Sequence, residues 1–432
     1  MAVTTLVNVL KSISSEVGIL QHLVSSTRLN GDPRLMGCGI LPSNTKYLNA
    51  ETFAGQSSGC AFEWEDALLG TIGETVERYA PAFHNPAEAI TTSYNKLEKN
   101  AISPDQFALF HPEQHKVFQE RGFPVVPFTE ETEVTWFPTH DLTDGEEKWI
   151  PGQFLYMPFQ KDPKYITMNT STGLAAHTDY HKAILTGLLE VLERDSFVIS
   201  WSQKIVPPKI VISEDIQQYI DENFPTNYEW HFFNMTYDLG VPSVFGLCFG
   251  EAEFGKFVAI GGASRMTFGE AVKKTIQEVG QAVPYFRYSL DERKDWNPDN
   301  DFSKLFDFDD HSLFYVKRQD LWGEFDRWTK APETFEIDFN EALPTDDIKT
   351  IRKIVKTLKK KGYNVLVKDL TTPDIRQLGF YSIKVFIPQL IQLAGAYLMY
   401  YHGGKRLYEV PKEMGYTSND FENLNTFPHP FP

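Results

Sequence analysis

At 432 residues the chain can build one large core or two smaller ones, on a scale of roughly 150 residues per domain. Its 42% apolar and 14% aromatic content is that of a globular protein, and 41 basic against 58 acidic side chains leave a formal charge of −17, which disfavours sequence-independent binding to nucleic acid. Cys38, Cys60 and Cys248 stand far apart with no CxxC or Cys/His ligand spacing, which disfavours a disulfide scaffold or a structural zinc site and points to reduced thiols in the cytoplasm.

The opening residues lack the basic start and apolar centre of a signal peptide, and no apolar run approaches the ~20 residues that span a bilayer. Up to about Gln56 the chain reads as irregular, with turn signals at Asn30-Gly31-Asp32-Pro33 and Gly37-Cys38-Gly39. Leu68, Ile72, Val76 and Tyr79 form an apolar stripe that predicts a helix from about Trp64 to Tyr79, ended by Pro81. The stretch from Pro124 to Pro158 alternates apolar and polar residues between turns and reads as short strands and loops. A buried helix is predicted from about Asp179, the N-cap, to Ser200, because its centre is apolar on every side. A third helix is predicted from about Phe268 to Val283, stopping at Pro284. Glu229–Phe249 and Asn364–Leu390 both read strand, Thr-containing turn, glycine, strand, which suggests βαβ-like crossovers or a duplicated half-domain. The expected class is α/β, of the mixed α+β kind, with mixed sheets.

The chemistry-bearing pattern is Glu-x-x-Glu-Arg, present twice: Glu74, Glu77 and Arg78 in the first helix, Glu190, Glu193 and Arg194 in the second. A spacing of three puts both carboxylates of a pair on one helix face, and two such helices facing each other would form a four-carboxylate cage. The plainer reading is that Glu74–Arg78 and Glu190–Arg194 are ordinary i,i+4 surface pairs; the apolar setting of Glu190 and the duplication weigh against it. Glu278 and Gln281 repeat the spacing in the third helix. Oxygen-only ligands favour Mg²⁺, which binds through one or two carboxylates plus substrate phosphates. Walker, dinucleotide, HExxH, GxSxG and Glu-x-x-His patterns are all absent.

Four blocks resemble the YcaO family: GETVERYA; TSTGLAAHTDYHKAILTGLLEVLERDSF; AVKKTIQEVGQ; and the closing PHPFP. The resemblance spans residues 57 to 432, leaving 1–56 as an N-terminal segment, and PHPFP is similar to the tail of the azoline-forming branch. It implies a YcaO-type fold with helices lining an ATP site, and an ATP-dependent cyclodehydratase acting on a ribosomally made precursor peptide. There a Cys, Ser or Thr side chain attacks the preceding amide, whose oxygen ATP converts to a leaving group, giving a thiazoline or oxazoline. By position, Glu74, Glu77, Glu190 and Glu193 are the expected Mg²⁺–phosphate ligands. Glu278 and Gln281 are expected to face the nucleotide. Arg78 and Arg194 would touch phosphate or pair with their i−4 glutamates; Arg287 is a weaker candidate, expected at the surface. The tail is expected to reach the active site, with the Pro432 carboxylate ordering the pocket or handling a proton; a frayed end is the alternative. The sequence departs from the family at Thr172 and His177, and no lysine stands out beside Ser57-Ser-Gly-Cys60. Implied partners are a precursor peptide, an E1-like leader-peptide-binding protein and a flavin-dependent dehydrogenase, the chain itself being a discrete catalytic subunit compatible with a homodimer. Thioamide or amidine formation by the same chemistry, and a non-catalytic scaffold, are the rival readings.

Overall fold

The structure is a computed structural model that describes every residue except 1–6, 8, 11, 12, 17, 49, 54, 163 and 432. Near the N-terminus β1 (Leu20–Ser25), β2 (Met36–Pro42) and β3 (Ser57–Ala61) form an antiparallel sheet in that order. A second sheet has the order β11-β10-β9-β8-β12. It is built from β8 (Lys209–Ile210), β9 (Glu229–Asn234), β10 (Ser243–Ala252), β11 (Gly255–Ser264) and β12 (Thr334–Phe335), and only its β8–β12 pair is parallel. The third contains β4 (Ile90–Thr92), β5 (Val134–Asp141), β6 (Glu147–Pro151), β7 (Leu174–His177), β13 (Leu366–Asp369) and β14 (Tyr381–Phe386). Its order is β4-β5-β13-β14-β7, with β6 on the side of β5.

The helices that matter to the site are α1 (Trp64–Tyr79), α2 (Pro112–Arg121), α3 (Tyr180–Ser202), α4 (Glu214–Asn223), α5 (Phe268–Glu292), α6 (Phe308–Lys317), α7 (Asp347–Lys360) and α8 (Lys405–Glu413). Helix α1 packs on β2 and β3, α5 on β10 and β11, and α3 touches β7 and β14 of one sheet and β10 and β11 of another. The all-round apolarity of α3 thus has its cause: Ile184, Leu188 and Val191 pack into one core cluster while Phe197 and Trp201 enter a second. Asp179 caps α3 as expected, accepting the His181 and Lys182 amides at 2.8 and 3.0 Å. Among the described residues no helix is long and apolar enough to cross a membrane.

The mixed α/β expectation holds, but three local expectations do not. Both strand–turn–strand segments are antiparallel hairpins, β9–β10 and β13–β14, placed in different sheets. Their connections are too short for a parallel crossover, which needs a dozen or more residues. The described residues before 57 are not irregular throughout: β1 and β2 form there, and Gly37 and Gly39 lie within β2, where a Cβ would collide with the side chains of Ser26 and Gln56, whereas the turn at residues 30–33 is present. These glycines mark close approach, not turns. Helix α5 runs through Pro284 to Glu292 because its buried face continues in Val283 and Phe286, whose ring meets Phe257 at 6.0 Å. That packing outweighs the ~3 kcal/mol an interior proline costs.

Arg406 of α8 pins α3 from its far side. Its guanidinium, 3% exposed, reaches Asp195 at 2.6 Å and Asp238 at 2.9 Å. Burial pushes the Asp195 carboxyl up while Arg406 opposes it. Arg406→Ala would leave Asp195 buried without a cation, Asp238 keeping Lys361 at 3.1 Å, so urea denaturation should show a loss of roughly 3–5 kcal/mol. A loss below ~1 kcal/mol would mean the cluster is hydrated and does not brace α3.

Candidate active site

On α1, three-residue spacing sets Glu74 and Glu77 side by side, and Arg78 reaches both: Nη2 lies 3.2 Å from Glu74 Oε1 and Nη1 3.7 Å from Glu77 Oε1. Helix α3 repeats the arrangement, with Arg194 Nη1 3.0 Å from Glu193 Oε1 and Nε 3.7 Å from Glu190 Oε1. Each α3 carboxylate is also tied to a strand. Glu190 Oε2 accepts the Gly173 amide at the start of β7 (3.3 Å), and Glu193 Oε2 accepts the Ser264 amide at the end of β11 (3.1 Å). Gly173 has φ +82°, and a Cβ there would overlap the Val385 carbonyl, so only glycine lets β7 close on β14 at this point.

The two pairs sense each other. Burial pushes Glu77 well above the usual carboxylate range; Arg78 opposes this, and the charges of Glu74 and Glu190 reinforce it. Burial also raises Glu190, against the pull of Arg194, Arg78 and Lys384. Glu193 is pushed up to about 7, chiefly by burial, with Arg194 opposing and Glu278 adding to the rise. The arginines therefore do pair with their own glutamates, yet burial still holds Glu77, Glu190 and Glu193 above the usual carboxylate range.

Helix α5 adds the third wall. Glu278 Oε2 accepts the Gly262 amide (3.2 Å) and its Oε1 lies 3.5 Å from Lys274 Nζ. Gln281 faces the Cys60 thiol, which burial pushes up to about 12, and Gln277 Nε2 donates to the Cys60 carbonyl. Strand β3 thus runs beside α5, and Gly59 permits its approach to α1: a Cβ would sit 2.8 Å from the Thr71 amide nitrogen.

Sequence reasoning missed Lys384. It is 1% exposed on β14, opposite Leu174, and its Nζ donates to the carbonyls of Thr170 (3.0 Å) and Thr172 (2.8 Å). Burial lowers its pKa to about 7, against the pull of Glu190 and Glu77. The signal was a lone lysine between Ile383 and Val385 in an apolar strand. Thr172 thus serves through its backbone. His177 accepts the Asp179 amide at Nδ1 (2.8 Å), a structural role beside the α3 cap. Arg287 lies apart from the carboxylates, paired with Asp32 (2.7 Å) and Glu253.

The C-terminal tail is packed, not frayed, as far as Phe431; Pro432 lies outside the described residues. Trp201 Nε1 donates to the Phe427 carbonyl (3.0 Å), Tyr315 Oη to that of Pro428 (2.8 Å) and His311 Nδ1 to that of His429 (2.8 Å). The His311 and His429 rings stack at 3.9 Å. Phe431 then lies under Arg194, whose guanidinium carbon is 4.2 Å from the ring centroid, and against the flat face of Gly262. Arg194 Nη1 is close to Glu193 but off the hydrogen-bond direction, and is buried without an acceptor.

These features fit a metal–phosphate ligand: carboxylates raised by burial call for a cation, and an unfilled guanidinium donor calls for an anion. Among the described residues no three acidic, His or Cys side chains are close enough to hold a metal by themselves. A Mg²⁺ that takes most ligands from water and phosphate needs only one or two carboxylates. Such an arrangement can hold phosphate through Mg²⁺ on acidic helices, and the sequence carries no Walker-type glycine loop.

The family model for the YcaO cyclodehydratases, described as ATP- and Mg²⁺-binding, matches residues 58–391, and the chain belongs to this family. Among solved structures it is similar to a heterocyclase in complex with substrate and cofactor, at 21% identity and TM-score 0.78, covering 100% of this chain and 57% of that one. YcaO from Methanopyrus kandleri bound with AMPPCP and Mg²⁺ matches at 18% identity and TM-score 0.63, covering 90% and 91%. The E. coli microcin synthetase McbBCD complex matches at 15% identity and TM-score 0.56, covering 85% and 88%. The likenesses establish the fold; the chain spans little more than half the length of the heterocyclase. No curated protein sequence matches.

Burial holds His311 down at about 4 and His429 well below the usual histidine range, so the tail packs only around neutral rings. Unfolded histidines titrate near 6.5, so between pH 6.5 and 4 the unfolded chain binds the extra protons. Their contribution is full above pH 6.5 and is lost as pH falls through that window, about 2 kcal/mol by pH 5 for His311 alone. The stability gap between the protein and His311→Gln, measured by thermal denaturation, should shrink by that amount from pH 7 to 5. A gap independent of pH would show that the rings are not buried as neutral groups.

Proposed function

We propose that the chain is an ATP-dependent cyclodehydratase that closes thiazoline or oxazoline rings in a ribosomally made precursor peptide. The observation that carries the reading is the two Glu-x-x-Glu-Arg helices, whose Glu77, Glu190 and Glu193 carboxylates burial raises against their arginines and whose Arg194 keeps a donor free. Bound MgATP would supply the phosphoryl group that makes an amide oxygen a good leaving group. Glu74, Glu77, Glu190 and Glu193 would hold Mg²⁺ and, through it, the phosphates. Arg78 and Arg194 would turn toward phosphate oxygens as Mg²⁺ replaces them beside the carboxylates. Glu278 and Gln281, on the α5 wall, would line the nucleotide side, with Glu278 already fixed by the Gly262 amide.

Lys384 fastens the Thr170–Thr172 loop that precedes β7, so the Gly173 amide stays aimed at Glu190. The tail steadies Arg194 by stacking Phe431 beneath it, and the Pro432 carboxylate would order the pocket or move a proton. The reacting side chain is a substrate Cys, Ser or Thr, whose heteroatom bonds to the preceding carbonyl carbon. Its proton and the amide N–H proton leave, a C=N bond forms, and the carbonyl oxygen departs as phosphate, so that each ring costs one ATP and removes the elements of one water. A precursor peptide and an E1-like leader-binding protein would be the partners; a related structure is that of a synthetase complex and another contains substrate. A flavin-dependent dehydrogenase acting on the rings and self-association as a dimer complete the proposal. The free thiols of Cys38, Cys60 and Cys248 suit the reducing cytoplasm.

Incubation with MgATP, the E1-like partner and a Cys-containing precursor should give ADP, phosphate and a peptide lighter by one water per ring. Gain of sulfur for oxygen in the product would overturn the azoline reading in favour of thioamide formation. Glu77→Ala and Glu193→Ala should each lower ATP turnover roughly a hundred-fold or more, the scale at which charge-stabilising groups act. Unchanged turnover in both would remove these residues from the site.

A further inference from the structure

Strand β13 pairs with β5 only at Leu366 opposite Asp141 and Val367 opposite His140, and then leaves it. Helix α7 and the first turns of α3 flank the opening, and a groove of about 1080 Å³ remains. Its floor is apolar, formed by Ile184, Ile351, Val355 and Val367, with Ile348 41% exposed at the rim. Its wall is basic. Arg352, Lys356 and Lys359 follow one another at helical spacing along a single exposed stripe of α7.

The balance of charge inside the groove is uneven. Glu88 is paired with Lys368 (2.6 Å) and Asp369 with Arg376 (3.2 Å), while Glu147 accepts the neutral Trp149 indole N–H (2.8 Å) and keeps its charge. Lys359 Nζ donates to the Thr143 carbonyl (2.7 Å), whereas Arg352 and Lys356 have no ion pair among the described residues. In a chain of net charge −17, three cations without a carboxylate partner, Arg352, Lys356 and Lys359, against the one charge of Glu147 make a local field opposite to that of the chain as a whole.

The geometry points to a docking groove for an acidic peptide segment, its carboxylates on Arg352 and Lys356 and its aliphatic side chains on the floor. Ile184 of that floor lies six residues before Glu190, about 9 Å along α3 at 1.5 Å per residue. The groove therefore adjoins the carboxylate site without sharing its residues, and the inference does not depend on what chemistry that site performs.

The test is fluorescence anisotropy of the full chain with a labelled peptide of about a dozen residues in which Glu, Leu and Ser alternate. The same peptide with Lys for Glu, and an oligothymidylate of similar length, are the competing probes. The acidic peptide should bind, more weakly as salt rises. Arg352→Glu combined with Lys356→Glu should weaken it at least ten-fold, and Ile348→Asp should weaken it with the cations intact. Equal binding by the charge-reversed variant, or preference for the lysine peptide, would overturn the proposal. Tighter binding of the oligothymidylate would assign the stripe to phosphate and overturn it as well. Circular dichroism melts of the variants, whose changed side chains are exposed, separate lost affinity from lost fold.

Discussion

Helix α3 carries Glu190, Glu193, Arg194 and Asp195 through the middle of an apolar interior, and each of these charges has to be met there. Stripping water from a carboxylate costs several kcal/mol, so every element around α3 is constrained by what it offers in return. Strand β7 begins with the Gly173 amide, β11 ends with the Ser264 amide, and the Ile391 amide reaches Asp195 at 2.9 Å. Strand β14 supplies Lys384 and α8 supplies Arg406. Two sheets are thereby registered against one helix by polar contacts as well as by packing.

The same constraint builds the site. Arg78 and Arg194 hold four glutamates in an arrangement that is tolerable without a metal and unsaturated with respect to one. A site that was fully neutralised would have no reason to take up Mg²⁺, and one with no arginines would be driven apart by repulsion. On the proposed assignment protein and ligand cations would compete for the same carboxylates, and the displaced arginines would become donors for the phosphates. The tail joins this arrangement through an aromatic path, Phe431 to Phe197 at 4.9 Å and Phe197 to Trp201 at 6.5 Å.

What could be read from the sequence was local. The Glu-x-x-Glu-Arg spacing fixes which side chains share a helix face before any fold is known, and the all-round apolarity of α3 announced its burial. The position of Lys384 depends on β7 lying beside β14, a pairing between residues far apart in the chain, so its role was invisible. Gly37 and Gly39 misled because glycine marks both turns and close approach, and only the neighbouring chains distinguish them. Pro284 misled because an intrinsic cost of a few kcal/mol yields to the burial of Val283 and Phe286. The hairpins β9–β10 and β13–β14 looked alike because strand and turn composition does not encode whether two strands run parallel.

The docked tail also bears on how the protein comes into being. Helix α1 and Phe431 belong to the same site, yet α1 leaves the ribosome long before Phe431 does. While translation continues, α3 must keep its charged face without the ring that lies beneath Arg194, and Trp201 and Tyr315 lack the carbonyls they later bind. Folding of the site is therefore completed after translation of the tail, whatever order the sheets form in. A polypeptide broken off before Phe427 would carry every glutamate of the two Glu-x-x-Glu-Arg helices and still present an unfinished aromatic surface, the kind of exposed apolar patch that quality-control machinery detects.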